Sequence, residues 1–141
     1  MISAAELAAR VRGERFPLLT LEEFFAGNPH EDSLAPLAWG SGRPPLAVLQ
    51  RRLAEAERAP DIAWIRVEAD ADSELDRPDG VVRAESIVLA TTAPAAELER
   101  RLDTAALGSL GIAESDESAL EDLCEVPPLH GHERIVFLVW D

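Results

Sequence analysis

The most ligand-like run in the chain is His130-Gly131-His132-Glu133. Two histidines at i,i+2 in a loop can meet one metal ion, with Glu133 or the lone Cys124 as a further ligand. That spacing fits no established zinc pattern, and Cys124 falls on what reads as the apolar face of a short helix, where a free thiol acts as a small hydrophobe. Asp70, Asp72, Glu74 and Asp76 alternate like the first ligands of an EF-hand. The motif fails at the sixth position, Leu75 instead of glycine, and at the twelfth, Val81 instead of glutamate. His30-Glu31-Asp32-Ser33 brings a base, an acid and a hydroxyl together, but sequence neighbours do not by adjacency face a common point. No catalytic residue, metal ligand or cofactor is assigned from these runs.

Composition removes other chemistries. All 13 basic residues are arginine and there is no tyrosine. Lysine Schiff bases, the P-loop lysine and a tyrosine acid are therefore excluded. One cysteine allows neither an intrachain disulfide nor a multi-cysteine zinc site. The absence of lysine, the abundance of alanine and the single asparagine, Asn28, imply GC-rich coding and a bacterial source.

The net charge is −14. Nucleic acid is a poor partner for such a chain, because affinity for it comes largely from cations set against phosphates. A basic protein partner, or a second copy of the chain, suits it better. No apolar run approaches the ~20 residues that span a bilayer, and the first twelve residues lack a signal-peptide core. The expected location is the cytoplasm, with no membrane partner.

The residues that read as a binding surface are Trp39, Trp64, Arg66 and Glu68. Trp39 lies in the Gly/Pro/Ser-rich stretch 28–44, which gives it little core of its own. Trp64, Arg66 and Glu68 share the mixed face of a strand. The expectation is that the 38–43 loop packs beside the exposed part of the hairpin that this strand opens, so that the two tryptophans form one apolar patch with a polar rim, the kind that marks interaction sites.

The elements that must position these residues follow from periodicity and punctuation. Capping boxes at Ser3–Glu6 and Thr20–Glu23 start two short helices, and a third at Ser118–Glu121 predicts another near 116–124. Pro44-Pro45 opens the longest helix, with Leu46, Leu49, Leu53 and Ala56 on its buried stripe. Residues 62–69 and 82–91 read as strands joined through Arg77-Pro78-Asp79-Gly80. A tight turn there would set Glu74 opposite Arg83. A helix from Pro94 to Leu102 follows, then a loop over 103–114.

Arg134 to Trp140 is the organising stretch. Six consecutive apolar side chains demand cover on both faces of a strand, so this strand should be interior. The N-terminal segment with Phe16, Phe24 and Phe25, or a second subunit, is the expected cover for its second face. The whole is read as one α+β domain over 1–141: a two-layer sandwich with a small, mostly antiparallel sheet of three to four strands and helices chiefly on one face. A ferredoxin-like βαββαβ arrangement is the alternative, and it requires a strand at 15–19. The function best matched is a non-catalytic interaction protein of inhibitor, immunity or regulatory type. A small hydrolase or metal-dependent enzyme using His130 and His132 is the alternative.

Overall fold

Both N-terminal capping boxes form. In the computed structural model, which describes residues 1–140, Ser3 Oγ accepts from Glu6 N at 3.1 Å while Glu6 Oε1 accepts from Ser3 N at 3.1 Å, opening α1 (Ala4–Arg10). Thr20 and Glu23 repeat the exchange at 3.0 and 2.9 Å and open α2 (Leu21–Phe25). Each box satisfies two N–H groups that a helix start leaves unpaired. Between them lies the strand β1 (Phe16–Leu19). The chain continues through α3 (Leu46–Glu57), β2 (Ile62–Ala69), β3 (Ala84–Thr91), α4 (Ala95–Leu102), β4 (Gly111–Glu114), a 3-10 turn at Glu117–Leu120, β5 (Leu123–Cys124) and β6 (Arg134–Val139).

The strands form one six-stranded mixed sheet in the order β4-β6-β3-β2-β1-β5. The fold is α+β, but the expected sheet of three to four strands is too small. Three short strands were missed, each of four residues or fewer and each carrying a local signal against a strand. Pro17 sits in β1, Gly111 opens β4, and β5 follows a stretch with a helix-cap pattern. Among the described residues the only parallel pair of strands is β1 with β5. The ferredoxin-like alternative also fails. A strand does form at 16–19, but β1 and β2 are antiparallel neighbours, whereas a βαβ unit joins parallel strands.

β6 is interior, as its uniform apolarity requires, lying between β4 and β3 and antiparallel to both. β3 and β4 therefore run the same way, so the crossover through α4 ends in β4 and β6 inserts between them. Val136 and Leu138 are fully buried on one face and Ile135 on the other, while Phe137 is half-buried.

The sheet has two unequal sides. Ile65, Val67, Ile87, Leu89, Val136 and Leu138 meet α1 to α4 in the main core, which also takes Phe24 and Phe25. Leu18, Trp64, Val88, Ala90 and Ile135 face the other way, under Leu120, Leu123, Val126 and Leu129. The second face is thus covered by the segment 117–129, not by the N-terminal phenylalanines. The β2–β3 connection also differs from the tight turn expected. It is a longer loop in which Glu74 N donates to Val81 O at 3.1 Å, and Asp70 N, not Glu74, pairs with Arg83, at 2.7 Å.

Candidate recognition surface

Trp64, Arg66 and Glu68 do share a strand face, but packing there leaves little of it for a partner. A bulge between Ile62 and Trp64 changes the alternation: Ile62 turns into the main core, Ala63 is exposed, and Trp64 is 5% exposed beneath the 117–129 segment. Its Nε1 is buried and finds no hydrogen-bond partner among the described residues. Arg66 turns round the open edge of β2, where pairing with β1 has ended. Glu57 of α3 meets it there at 3.3 Å and accepts from the free Ile65 N–H at 2.7 Å. Arg66 is therefore tied to the helix layer, with its guanidinium 6.0 Å from the Trp64 ring centre, at the outer limit of a cation–π contact. Glu68 accepts from Ser86 Oγ at 3.1 Å. Burial pushes its carboxyl above the ordinary glutamate range, and nearby Glu85 and Asp70 push the same way.

Trp39 lies elsewhere. Its loop neighbours Ala35 and Ala38 belong to the main core, on the opposite side of the sheet from Trp64. The two indoles do not form one patch, because the bulge and the 117–129 cover take Trp64 out of solvent.

Arg43 holds the Trp39 loop in place. Arg43 is 3% exposed, its N–H donates to Ala38 O at 3.0 Å, and its guanidinium lies 4.5 Å from the Trp39 ring centre. One η-nitrogen donates to Pro44 O at 2.9 Å and the other to Glu31 O. The Glu31 carboxylate is used elsewhere, accepting from Leu46 N at 2.9 Å where α3 begins. A buried cation with no carboxylate in contact is unfavourable, and burial moves the Arg43 pKa down, with Glu31 and Asp32 opposing. Opposite the loop, Gly108 has φ +68, and a Cβ there would stand 2.7 Å from Arg43 N.

Three large hydrophobic residues are exposed among the described residues: Leu37 (79% exposed), Leu110 (71%) and Trp39 (39%). Leu37 and Leu110 flank a pocket of about 210 Å³ completed by Ala38, Ser41 and Gly108. Leu37 and Leu110 were missed from sequence. The available signal was that each is a lone large aliphatic inside a Gly/Pro/Ser-rich stretch, with no periodic partner to bury it.

A second concavity, about 430 Å³, lies in the 117–129 cover and is lined by Glu117, Leu120, Glu121 and Val126 to Leu129. A third, about 480 Å³, lies between α2 and α3 and includes Thr20, Gln50, Glu57 and Arg66.

The chemistry-bearing runs do not assemble. His130 and His132 are exposed, and Glu133 Oε1 accepts only from the backbone N of His130, at 3.3 Å. Cys124 sits in β5, not on a helix, with Sγ 3.4 Å from Arg15 O. Asp70 closes a local turn by accepting from Asp72 N at 2.8 Å. Among the described residues no group of three or more His, Cys, Asp or Glu is placed to hold a metal ion, and no helix is long and apolar enough to cross a membrane.

No curated protein and no solved structure matches the chain. A family model described as "Uncharacterized protein YfbO family" matches residues 2–138, and the chain belongs to that family.

Proposed function

We propose that this protein is a non-catalytic interaction domain that binds a basic protein partner in the cytoplasm, in an inhibitory or regulatory role. The observation that carries this reading is that Leu37 and Leu110, both largely exposed, line one pocket, with partly exposed Trp39 in the same loop as Leu37. Apolar exposure is ordinary when scattered and informative when gathered. The pocket between Leu37 and Leu110, about 210 Å³, is smaller than the ~300–1,000 Å³ that holds a typical small-molecule ligand. It suits one inserted side chain. The net charge of −14 steers association toward a basic surface. Arg43 supports the reading by fixing the loop before any partner arrives, which lowers the ordering cost of binding.

Position-specific photo-crosslinking in the native host tests it. A photoreactive residue in place of Leu37 should give adducts concentrated in one protein of net positive charge, and Leu110→Glu in the same chain should abolish them. The same probe in place of Asp79, 80% exposed at its side chain in the β2–β3 loop, should not give that adduct. Equal adducts from both positions, or none from Leu37, would remove the patch as a recognition surface. An adduct to a second copy of the chain would replace the partner with a homodimer.

A further inference from the structure

The stretch 114–125 contains Glu114, Asp116, Glu117, Glu121, Asp122 and Glu125 and no basic residue. Part of this charge is answered inside the molecule. Glu114 pairs with Arg134 at 3.2 Å and Glu125 with Arg10 at 3.0 Å. Asp116 accepts from Ser118 N at 2.9 Å, capping the 3-10 turn. Glu117 and Glu121 form no ion pair among the described residues, and both line the 430 Å³ groove. Its other lining side chains are apolar. Leu120 is 8% exposed, and Val126 and Leu129 pack against the cluster that contains Trp64 and Ile135. Pro127 adds a stiff wall with no backbone N–H to desolvate.

We infer that this groove docks an arginine-bearing segment of a basic protein partner. Apolar side chains beside two free carboxylates in one groove select an occupant that is apolar along its stem and cationic at its tip. Arginine lays a three-carbon stem along apolar surface and presents a planar fork that carboxylates accept two bonds at a time. A wholly apolar occupant would desolvate Glu117 and Glu121 without replacing their hydrogen bonds. An anionic one meets both carboxylates and a chain of net charge −14. The inference takes the partner's basic character from the proposed function, but it uses a different face of the molecule and none of the Trp39 junction.

The test is an ¹⁵N NMR titration of the full chain with the capped pentapeptide Gly-Leu-Arg-Leu-Gly, beside the same peptide carrying citrulline in place of arginine. Saturable shifts should centre on Leu120, Val126 and Leu129, and citrulline should weaken binding at least fivefold. The pair Glu117→Gln and Glu121→Gln should weaken it to a similar degree while leaving the rest of the spectrum unchanged. The pair Asp72→Asn and Asp76→Asn, which removes the same charge from the β2–β3 loop, should leave the affinity within twofold. No saturable shift, shifts spread over the acidic surface, equal binding of the citrulline peptide, or equal loss in the Asp72/Asp76 pair would each overturn the inference. Crosslinking through Leu37 reads the other face, so failure of either experiment is separable from failure of the other.

Discussion

At Arg43 a guanidinium is held by two carbonyls and an indole face, and among the described residues its Nε is unpartnered and no carboxylate is in contact. Its removal strands the carbonyls of Glu31 and Pro44, at ~1–3 kcal/mol for each buried group left unsatisfied, and gives back part of the cost of burying a charge. The expected net loss for Arg43→Met is about 1–3 kcal/mol. Arg43→Lys should recover less than half of it, because an ammonium reproduces neither the fork nor the stacking. Chemical denaturation measures both, and an unchanged midpoint for Arg43→Met would show that the loop does not depend on this clamp. Glu68 makes a separate prediction, with its sign set by burial. Its folded pKa is raised above the unfolded value, so its contribution to stability is complete below the unfolded pKa and is lost as pH rises through the folded one. Glu68→Gln keeps an acceptor for Ser86 and removes the buried charge. It should therefore raise the thermal midpoint at pH 7–8 by a few degrees at most, about the shift that ~1 kcal/mol produces in a chain of this size, and this gain should vanish near pH 4. A gain that persists at pH 4 would assign the effect to packing instead.

Among the elements, those legible in the sequence make their own local argument, and those that were not depend on distant strands. The Ser3 and Thr20 boxes, the Leu46-Leu49-Leu53 stripe and the apolar runs of β2 and β3 are complete within a dozen residues, and all of them form. β1, β4 and β5 are short, and each is a strand only because a partner far along the chain supplies the ladder, as where Phe16 meets Leu123. The Ser118 box is overridden when Asp116 caps the turn instead, and the chain returns to the sheet edge at Leu123. The candidate site was legible only at Trp39. Nothing local reveals that the loop after α4 would bring Leu110 beside Leu37, or that a bulge at Ala63 would send Trp64 under cover. This dependence of one loop on another can be measured. Gly108→Ala would set a Cβ 2.7 Å from Arg43 N and 2.8 Å from Gly42 C, at φ +68, so backbone must move. A loss of about 2 kcal/mol or more is expected, of the size seen for strained backbone, together with a shift in Trp39 fluorescence. In β6, Leu138→Ala should cost about 2–5 kcal/mol because Leu138 is 0% exposed, and half-buried Phe137→Ala should cost less than Leu138→Ala. The reverse order would place the weight of the core on the second face.

On the scale of the whole molecule, the two layers against the sheet differ in how firmly they are built. The main layer is four helices over 26 buried residues, whereas the cover over the other face rests on a cluster of six. That cover has a 3-10 turn of four residues and a strand of two, paired only with β1 at the sheet edge. Its ties are few. Arg10 reaches Glu125 through two nitrogens at 3.0 Å each, while also bonding Glu23 of α2, and Cys124 Sγ approaches the carbonyl of Arg15. Opening free energies within a fold follow local burial and hydrogen bonding, so the 117–129 segment should open before the sheet does. Native-state hydrogen exchange should find the amides of Leu120 and Leu123 at least a hundredfold less protected than those of Ile87 and Leu89, a gap of about 2.7 kcal/mol or more at ~1.36 kcal/mol per decade. Arg10→Ala should widen that gap by speeding exchange in the cover while leaving the β3 amides slow. Trp64 provides an optical reading of the same event, because its buried indole N–H lies beneath this segment and meets water only when the segment lifts. Its emission should redden at denaturant concentrations below the main transition, more so in Arg10→Ala than in the wild type, with Trp39→Phe and Trp140→Phe used to remove the signals of the other two tryptophans. Equal protection of Leu120 and Ile87, with a single coincident fluorescence transition, would mean that the two layers unfold as one unit and that the groove on the outer one is as rigid as the core.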